Sequence, residues 1–452
     1  MRDLSGRASF SHFKQMAGRH LVHEVLPLDC INERDADFYR DNRERSALYV
    51  SLQGEREAYF RRHPCMVMLF TCMDGRERDT AKALGIPPGA ENIYATAGNK
   101  IGAFNLVLGK EIQARIDRAA ESGKRVLILW VTHESWFARD TDSCAAWKND
   151  GCAAGEYADE QVGRFNADYV DRGADGRILR RNVIAVRLNS FHDIESRVWH
   201  GERGRAVDPM VFAERLEPKA ADRQAMEPYS AEILARFTAA FPPDDPRFEG
   251  LDQDEYRAII RQMAEMAEAN VRYIRQAAGK NPIDLKHGHR ERRAFVGRGW
   301  EMYDDPNEYF CVSDLTPDLL REGKIAITYV LMNSVIAMQA DNDSRLHVPV
   351  HVNVPYDRGR PGDRGGSIRH ALDLARALQA DWRDRLETPA KKTAFMTELY
   401  HALKHHEIDT DAFKPAVLEA LDHGLSDAIE FYISVSPRDT RLCELVATGG
   451  DL

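Results

Sequence analysis

The chain lacks any stretch able to cross a bilayer. Its longest apolar run, around Ile325 to Met338, is interrupted by Asn333 and Ser334 and falls short of the roughly 20 apolar residues that a spanning helix needs. The opening residues, MRDLSGRASFSHFK, carry basic groups with no apolar run behind them, so no secretory signal is expected. Cysteine is sparse, seven in 452 residues. An odd and thin set of thiols does not build a disulfide framework, so a reducing compartment, the cytoplasm, is the expected location. Excess positive charge is missing too. The net charge is −10, and phosphate binding needs clustered cations, so nucleic acid is not expected as a partner. Basic stretches such as Arg290 to Arg293 read as solvated faces.

What remains is the composition of a folded chain, 43% hydrophobic and 30% charged, long enough for two or three domains. Residues 1–60 are polar and lean towards helix. Alternation then begins. Cys65 to Thr71 (CMVMLFT), Asn92 to Ala97 (NIYATA), Arg125 to Thr132 (RVLILWVT) and Asn182 to Leu188 (NVIAVRL) are short apolar runs of the kind that form buried parallel strands. Ala103 to Ala120 has helical spacing between two of them. Strands alternating with helices predict an α/β fold on a mostly parallel sheet.

From about 210 to 280 the pattern turns helical. Tyr256, Ile259, Ile260, Met263, Met266, Ala267, Asn270, Tyr273 and Ile274 recur at steps of three and four, the mark of a buried helix face. Past 290 the α/β alternation returns, with strands expected at Ile325 to Met332, Val348 to Val354 and Ile429 to Val435. The closing segments NVIAVRLNSFHDIESRV and AIEFYISVSPRDTRLCEL run in parallel, which predicts a degenerate internal repeat. The expected organisation is a helical region 1–60, a domain 61–210, a helical segment 211–285 and a second α/β domain 286–452.

Three residues carry the chemistry. Cys72 and His133 each follow directly on an apolar strand, at the carboxyl end of the sheet where open α/β folds bind ligands. Cys144 lies in a polar loop eleven residues beyond His133. Two thiolates and an imidazole suit zinc and leave one coordination position open, the requirement for a catalytic ion. Asp74, two residues after Cys72, can orient a zinc-bound water or hydroxide, and Arg76 can grip the Asp74 carboxylate bidentately. Cys152 rivals Cys144, because Gly151-Cys152-Ala153-Ala154 nearly copies Ser143-Cys144-Ala145-Ala146. The chemistry of the residues alone does not separate the two.

Cys72-Met73-Asp74-Gly75-Arg76 after a strand resembles the C-x-D-x-R signature of the β-class carbonic anhydrases. Thr96-Ala97-Gly98-Asn99 resembles that family's Ala-Gly-Asn strand end, and His133 falls where its zinc histidine would. Ordinary members place the second cysteine three residues after the histidine, and here that residue is Trp136. The longer step to Cys144, followed by Ala-Ala, is similar to the divergent carboxysome shell branch. SFHDIESRV, the stretch from His287-Gly288-His289 to Phe295, and Tyr356 to Gly366 resemble that branch too. The resemblance implies a zinc enzyme that reversibly hydrates carbon dioxide to bicarbonate, held by Cys72, His133 and Cys144 with Asp74 and Arg76 as catalytic residues. It also implies a C-terminal repeat without metal, with Leu331-Met332-Asn333 and Pro355 where ligands would stand. A homo-oligomer is implied, with carboxysome shell or Rubisco components as partners and no membrane.

Two other readings share the motif: a zinc lyase or hydrolase acting on a carbon dioxide analogue such as carbon disulfide, and a non-catalytic scaffold that keeps zinc for folding. Asp74 and Arg76 favour the enzyme, since a structural zinc needs neither. His287-Gly288-His289 reads as a polar loop rather than a metal pair. Arg358 to Gly366 (RGRPGDRGG) matches no P-loop and reads as a connection. His63, Cys65, Cys311 and Cys443 have no ligand spacing.

Overall fold

The computed structural model describes residues 43–44, 46–72, 77, 79–99, 107–136, 143–144, 147–191, 197–202, 205–216, 223–277, 295–298, 310–313, 348–405, 414–422 and 429–446. It is an α/β structure with two compact units, Leu52–Tyr303 with Ala402–Asp409, and Met1–Ser51 with Asp304–His401 and Thr410–Leu452. Among the described residues no helix is long and apolar enough to cross a membrane.

In the first of these units, helix α1 (Gln53–Arg62) leads into strand β1 (Cys65–Cys72). There follow α2 (Thr80–Ala83), β2 (Glu91–Thr96), α3 (Val107–Glu121), β3 (Arg125–Glu134) and α4 (Gly151–Asp168). A small hairpin, β4 (Val170–Arg172) and β5 (Ile178–Arg181), precedes β6 (Val183–Phe191) and β7 (Arg197–His200). Three helices, α5 (Met210–Ala213), α6 (Arg223–Ala240) and α7 (Gln253–Ala277), and strand β8 (Phe295–Arg298) complete it. The sheet order is β8-β2-β1-β3-β6-β7. Strands β2, β1, β3 and β6 are parallel, while β8 pairs antiparallel with β2 and β7 with β6.

The parallel strands are the apolar runs of the sequence. Every residue of β1 except Met66 is buried, as is every residue of β3 from Val126 to His133, which is what a sheet covered on both faces requires. Register aligns Tyr94, Phe70 and Trp130 across β2, β1 and β3. Their rings stack at 4.7 and 5.0 Å between centroids. Offset stacking adds to area burial, and this ladder fixes the strands two residues before Cys72.

The methionine and aromatic stripe of α7 is core, as its spacing predicts: Ile259, Ile260, Met263, Met266, Ala267 and Ile274 are buried. Its polar members complete backbone pairing. Gln262 accepts from the Cys65 N–H and donates to the Cys65 carbonyl, both at 3.1 Å. Asn270 accepts from Val198 N–H at 3.0 Å.

In the other unit, β9 (Phe310–Ser313), β10 (Val348–Tyr356) and β11 (Ile429–Pro437) are parallel, and β12 (Glu444–Leu445) pairs antiparallel with β11. Helix α8 (Asp363–Leu386) follows β10 and makes its contacts with β10 and β11. The strands expected at 348–354 and 429–435 are therefore present. The strand expected at 325–332, the His287-Gly288-His289 stretch and residues 331–333 lie outside the described residues. The loop 358–366 forms a turn and the first residues of α8.

Candidate metal centre

Cys72 ends β1 and His133 stands one residue from the end of β3, its neighbour in the sheet. Parallel alignment brings both side chains to the same end of the sheet. Cys144 reaches them from a tight turn. Its carbonyl accepts from Trp147 N–H at 2.9 Å and from Asn149 N–H at 3.1 Å, and the Asn149 side chain accepts from Ser143 N–H at 3.0 Å. Lys148 and Asn149 close the turn in the left-handed region, φ 52° and 63°, a conformation that asparagine tolerates well.

The sulfur atoms of Cys72 and Cys144 and a ring nitrogen of His133 lie within 4.8 Å of one another, and all three residues are buried. The two cysteines are unbonded, with Sγ–Sγ 3.8 Å. Two thiolates held at ~2.3 Å from one tetrahedral ion stand about 3.8 Å apart, so the spacing fits a shared zinc. The Cys144 sulfur, then burial, pushes the Cys72 thiol well above its ordinary range, with His133 opposing. Both sulfurs can be thiolates at this distance with a cation between them. The cluster could hold a metal ion, and its donors fit zinc.

Cys152 has a different place. It is exposed at the start of α4, where its N–H and that of Ala153 donate to the Asp150 carboxylate at 2.9 and 3.0 Å. With Glu134, Arg187 and Asn189 it lines a cavity of about 400 Å³ that none of the three clustered donors lines.

A ring of hydrogen bonds surrounds the donors. Gly98 N–H donates to Cys72 Sγ at 3.3 Å. The Asn99 side chain donates to the carbonyls of Phe70 and Val131, at 3.0 and 3.1 Å, tying together the strand ends that carry Cys72 and His133. Gly98 and Asn99 both have positive φ, 61° and 56°, which explains glycine and asparagine here. The Trp147 indole N–H donates to the Gly98 carbonyl at 2.8 Å. Sequence reasoning singles out the Ala-Gly-Asn segment but misses Trp147, whose one signal is its place three residues after Cys144.

Trp136 occupies the position where an H-x-x-C motif would put a thiolate. Its ring lies against the Arg197 guanidinium at 4.4 Å, with Phe191 and Trp199 edge-on at 5.2 and 5.7 Å. Arg197 is buried and ion-paired with Asp208. Asp74 and Arg76 lie outside the described residues. No protein-family model matches this chain, and no curated protein matches it either.

Proposed function

We propose that the chain is a zinc-dependent carbonic anhydrase of the divergent, carboxysome-type β-class branch, which reversibly hydrates carbon dioxide to bicarbonate and a proton. The observation that carries the proposal is the buried trio Cys72, His133 and Cys144 at parallel strand ends, with sulfurs 3.8 Å apart. Among the described residues three protein donors converge, which leaves a fourth position for the reaction or, in a resting state, for Asp74, whereas a structural zinc takes four. When bound, zinc supplies the Lewis acidity that makes water a nucleophile near neutral pH.

The chain's own residues do the rest. Two thiolates offset the ion's charge, so the site stays neutral overall, which suits an uncharged substrate. Gly98 N–H fixes the direction of the Cys72 sulfur. In this proposal Asp74 accepts the proton of the attacking oxygen in a hydrogen bond and directs its lone pair, and Arg76 keeps Asp74 ionised and in place.

The proposal includes a degenerate repeat without metal in the second unit. In support, β3-α4-β6-β7 and β10-α8-β11-β12 follow the same order of parallel and antiparallel pairing. It extends to a cytoplasmic homo-oligomer, with carboxysome shell or Rubisco components as partners. Light scattering tests the oligomer, and co-purification with shell fractions tests the partners.

Metal analysis with stopped-flow hydration on wild type, Cys144→Ser and Cys152→Ser tests the enzyme. Expected are one zinc per chain and activity in wild type and Cys152→Ser, with both lost in Cys144→Ser. Zinc lost only from Cys152→Ser overturns the third ligand, and full zinc without hydration overturns the enzyme. Turnover of carbon disulfide in place of carbon dioxide would move the reading to the analogue lyase.

A further inference from the structure

We propose that Trp147 is a positioning residue of the metal centre, holding the Gly98 backbone in place against the Cys72 sulfur; this rests on the zinc reading above. Both backbone groups of Gly98 are held. Its carbonyl accepts from the Trp147 indole at 2.8 Å, and its N–H donates to Cys72 Sγ at 3.3 Å. The two groups belong to successive peptide units joined at the Gly98 Cα, so the indole bond acts by position: it fixes the Gly98 backbone and with it the aim of the N–H at sulfur. A donor on a ligating sulfur withdraws charge from it, and groups outside the ligand set orient and tune the ligands in this way.

The same indole links the two cysteines. Trp147 belongs to the turn that carries Cys144, its own N–H donating to the Cys144 carbonyl at 2.9 Å. Gly98 belongs to the segment Ala97–Asn99, whose asparagine ties the ends of β1 and β3. The Trp147–Gly98 bond thus joins the turn holding one thiolate to the segment holding the other. The Trp147 ring is held in turn by Tyr157 of α4 at 5.3 Å. A ring without an N–H would keep this packing and lose only the link. The Trp147–Gly98 bond is therefore one of the contacts that hold the two sulfurs 3.8 Å apart.

Trp147→Phe keeps the ring and removes the donor. Its zinc affinity, read by competition with a chromophoric chelator, should fall about tenfold, and the sulfur-to-cobalt charge-transfer band of the cobalt-substituted protein should shift. Trp147→His, which retains a ring N–H, should recover part of both. Unchanged affinity and an unchanged cobalt band in Trp147→Phe overturn the proposal, as does equal loss in the Phe and His variants. Failure of wild type to bind zinc overturns the metal reading instead. If Trp147→Phe does not fold, hydrogen exchange on wild type decides: zinc loading should slow the Gly98 amide, and no added protection overturns the link.

Discussion

Strand β3 in one unit and β10 in the other each pair in parallel with a later strand, β6 and β11, on whose far side lies a short antiparallel strand; a helix and the β4-β5 hairpin intervene in the first, three helices among the described residues in the second. Register lets the two be laid side by side. In the first, His133 pairs with Ser190 one residue before the end of β6; in the second, Pro355 pairs with Ser436 one residue before the end of β11. An imidazole stands at one position and a ring with no donor atom at the other. The surroundings differ accordingly. Around His133 two cysteines converge. Near Pro355 the buried polar groups satisfy one another: Asn353 bonds the hydroxyls of Ser436 and Ser434, both at 3.2 Å, and Ser367 donates to the Pro355 carbonyl at 3.2 Å. At one strand end three potential metal donors converge, and at the other the polar groups close upon themselves.

The largest expected effect is on the first strand end. Cys72→Ser and His133→Ala should each abolish stoichiometric zinc and lower hydration by at least ~100-fold, since even groups outside the ligand set cost 10- to 100-fold. Pro355→His, the converse change, should add no zinc, because no thiolate is supplied with it. A second zinc per chain in that variant would break the comparison.

Relocating the thiolate sharpens it further. Trp136→Cys in a Cys144→Ser background restores the spacing of an H-x-x-C motif, yet zinc should not return. Residue 136 is committed to Arg197, Phe191 and Trp199, and its loss exposes a buried guanidinium pair. Metal analysis and a thermal melt read both consequences.

A smaller effect separates Asn99 from Asn353. Asn99→Ala removes donors from two strand-end carbonyls and places alanine at positive φ. A loss of about 2–3 kcal/mol is expected in denaturant unfolding. Asn353→Ala breaks side-chain bonds to serine hydroxyls that can re-pair and should cost about 1 kcal/mol. Equal losses would mean that the Asn99 clamp is not specific to the metal end.

Acid should act on the unit that carries the Cys72–His133–Cys144 cluster even without metal. Burial lowers His200 to about 3, and burial with Arg62 and Lys124 lowers His63 to about 4. The unfolded chain binds these protons near pH 6.5 while the folded chain refuses them, so stability is full above ~6.5 and falls as pH drops towards 4 and 3. His200→Gln should flatten part of that fall in melts of the metal-free protein. An identical pH slope would remove His200 from the account. Least of all, Cys152→Ser should change stability by no more than about 0.5 kcal/mol.

Much of this was legible from residues. Strands β1, β2, β3 and β6 read as strands because burial on both faces demands unbroken apolar runs, and α7 reads as a helix because it buries one face. The short strands β7, β8 and β9 and the β4-β5 hairpin escape, being defined by a partner rather than by pattern. In the site, Cys72 and His133 follow from strand ends. Cys144 sits in a loop, and only its folded turn separates it from the exposed Cys152. Trp136 reads as an absence in the sequence and as a cation–π anchor in the structure. The Trp147–Gly98 link has no signature, because it depends on two loops meeting.

Zinc K-edge absorption on the purified wild-type protein tests the central claim most directly. One zinc per chain is expected, bound by two sulfurs at ~2.3 Å, one imidazole nitrogen at ~2.0 Å and a fourth light donor. A metal bound by one sulfur, by three or more, or no zinc at all would contradict it.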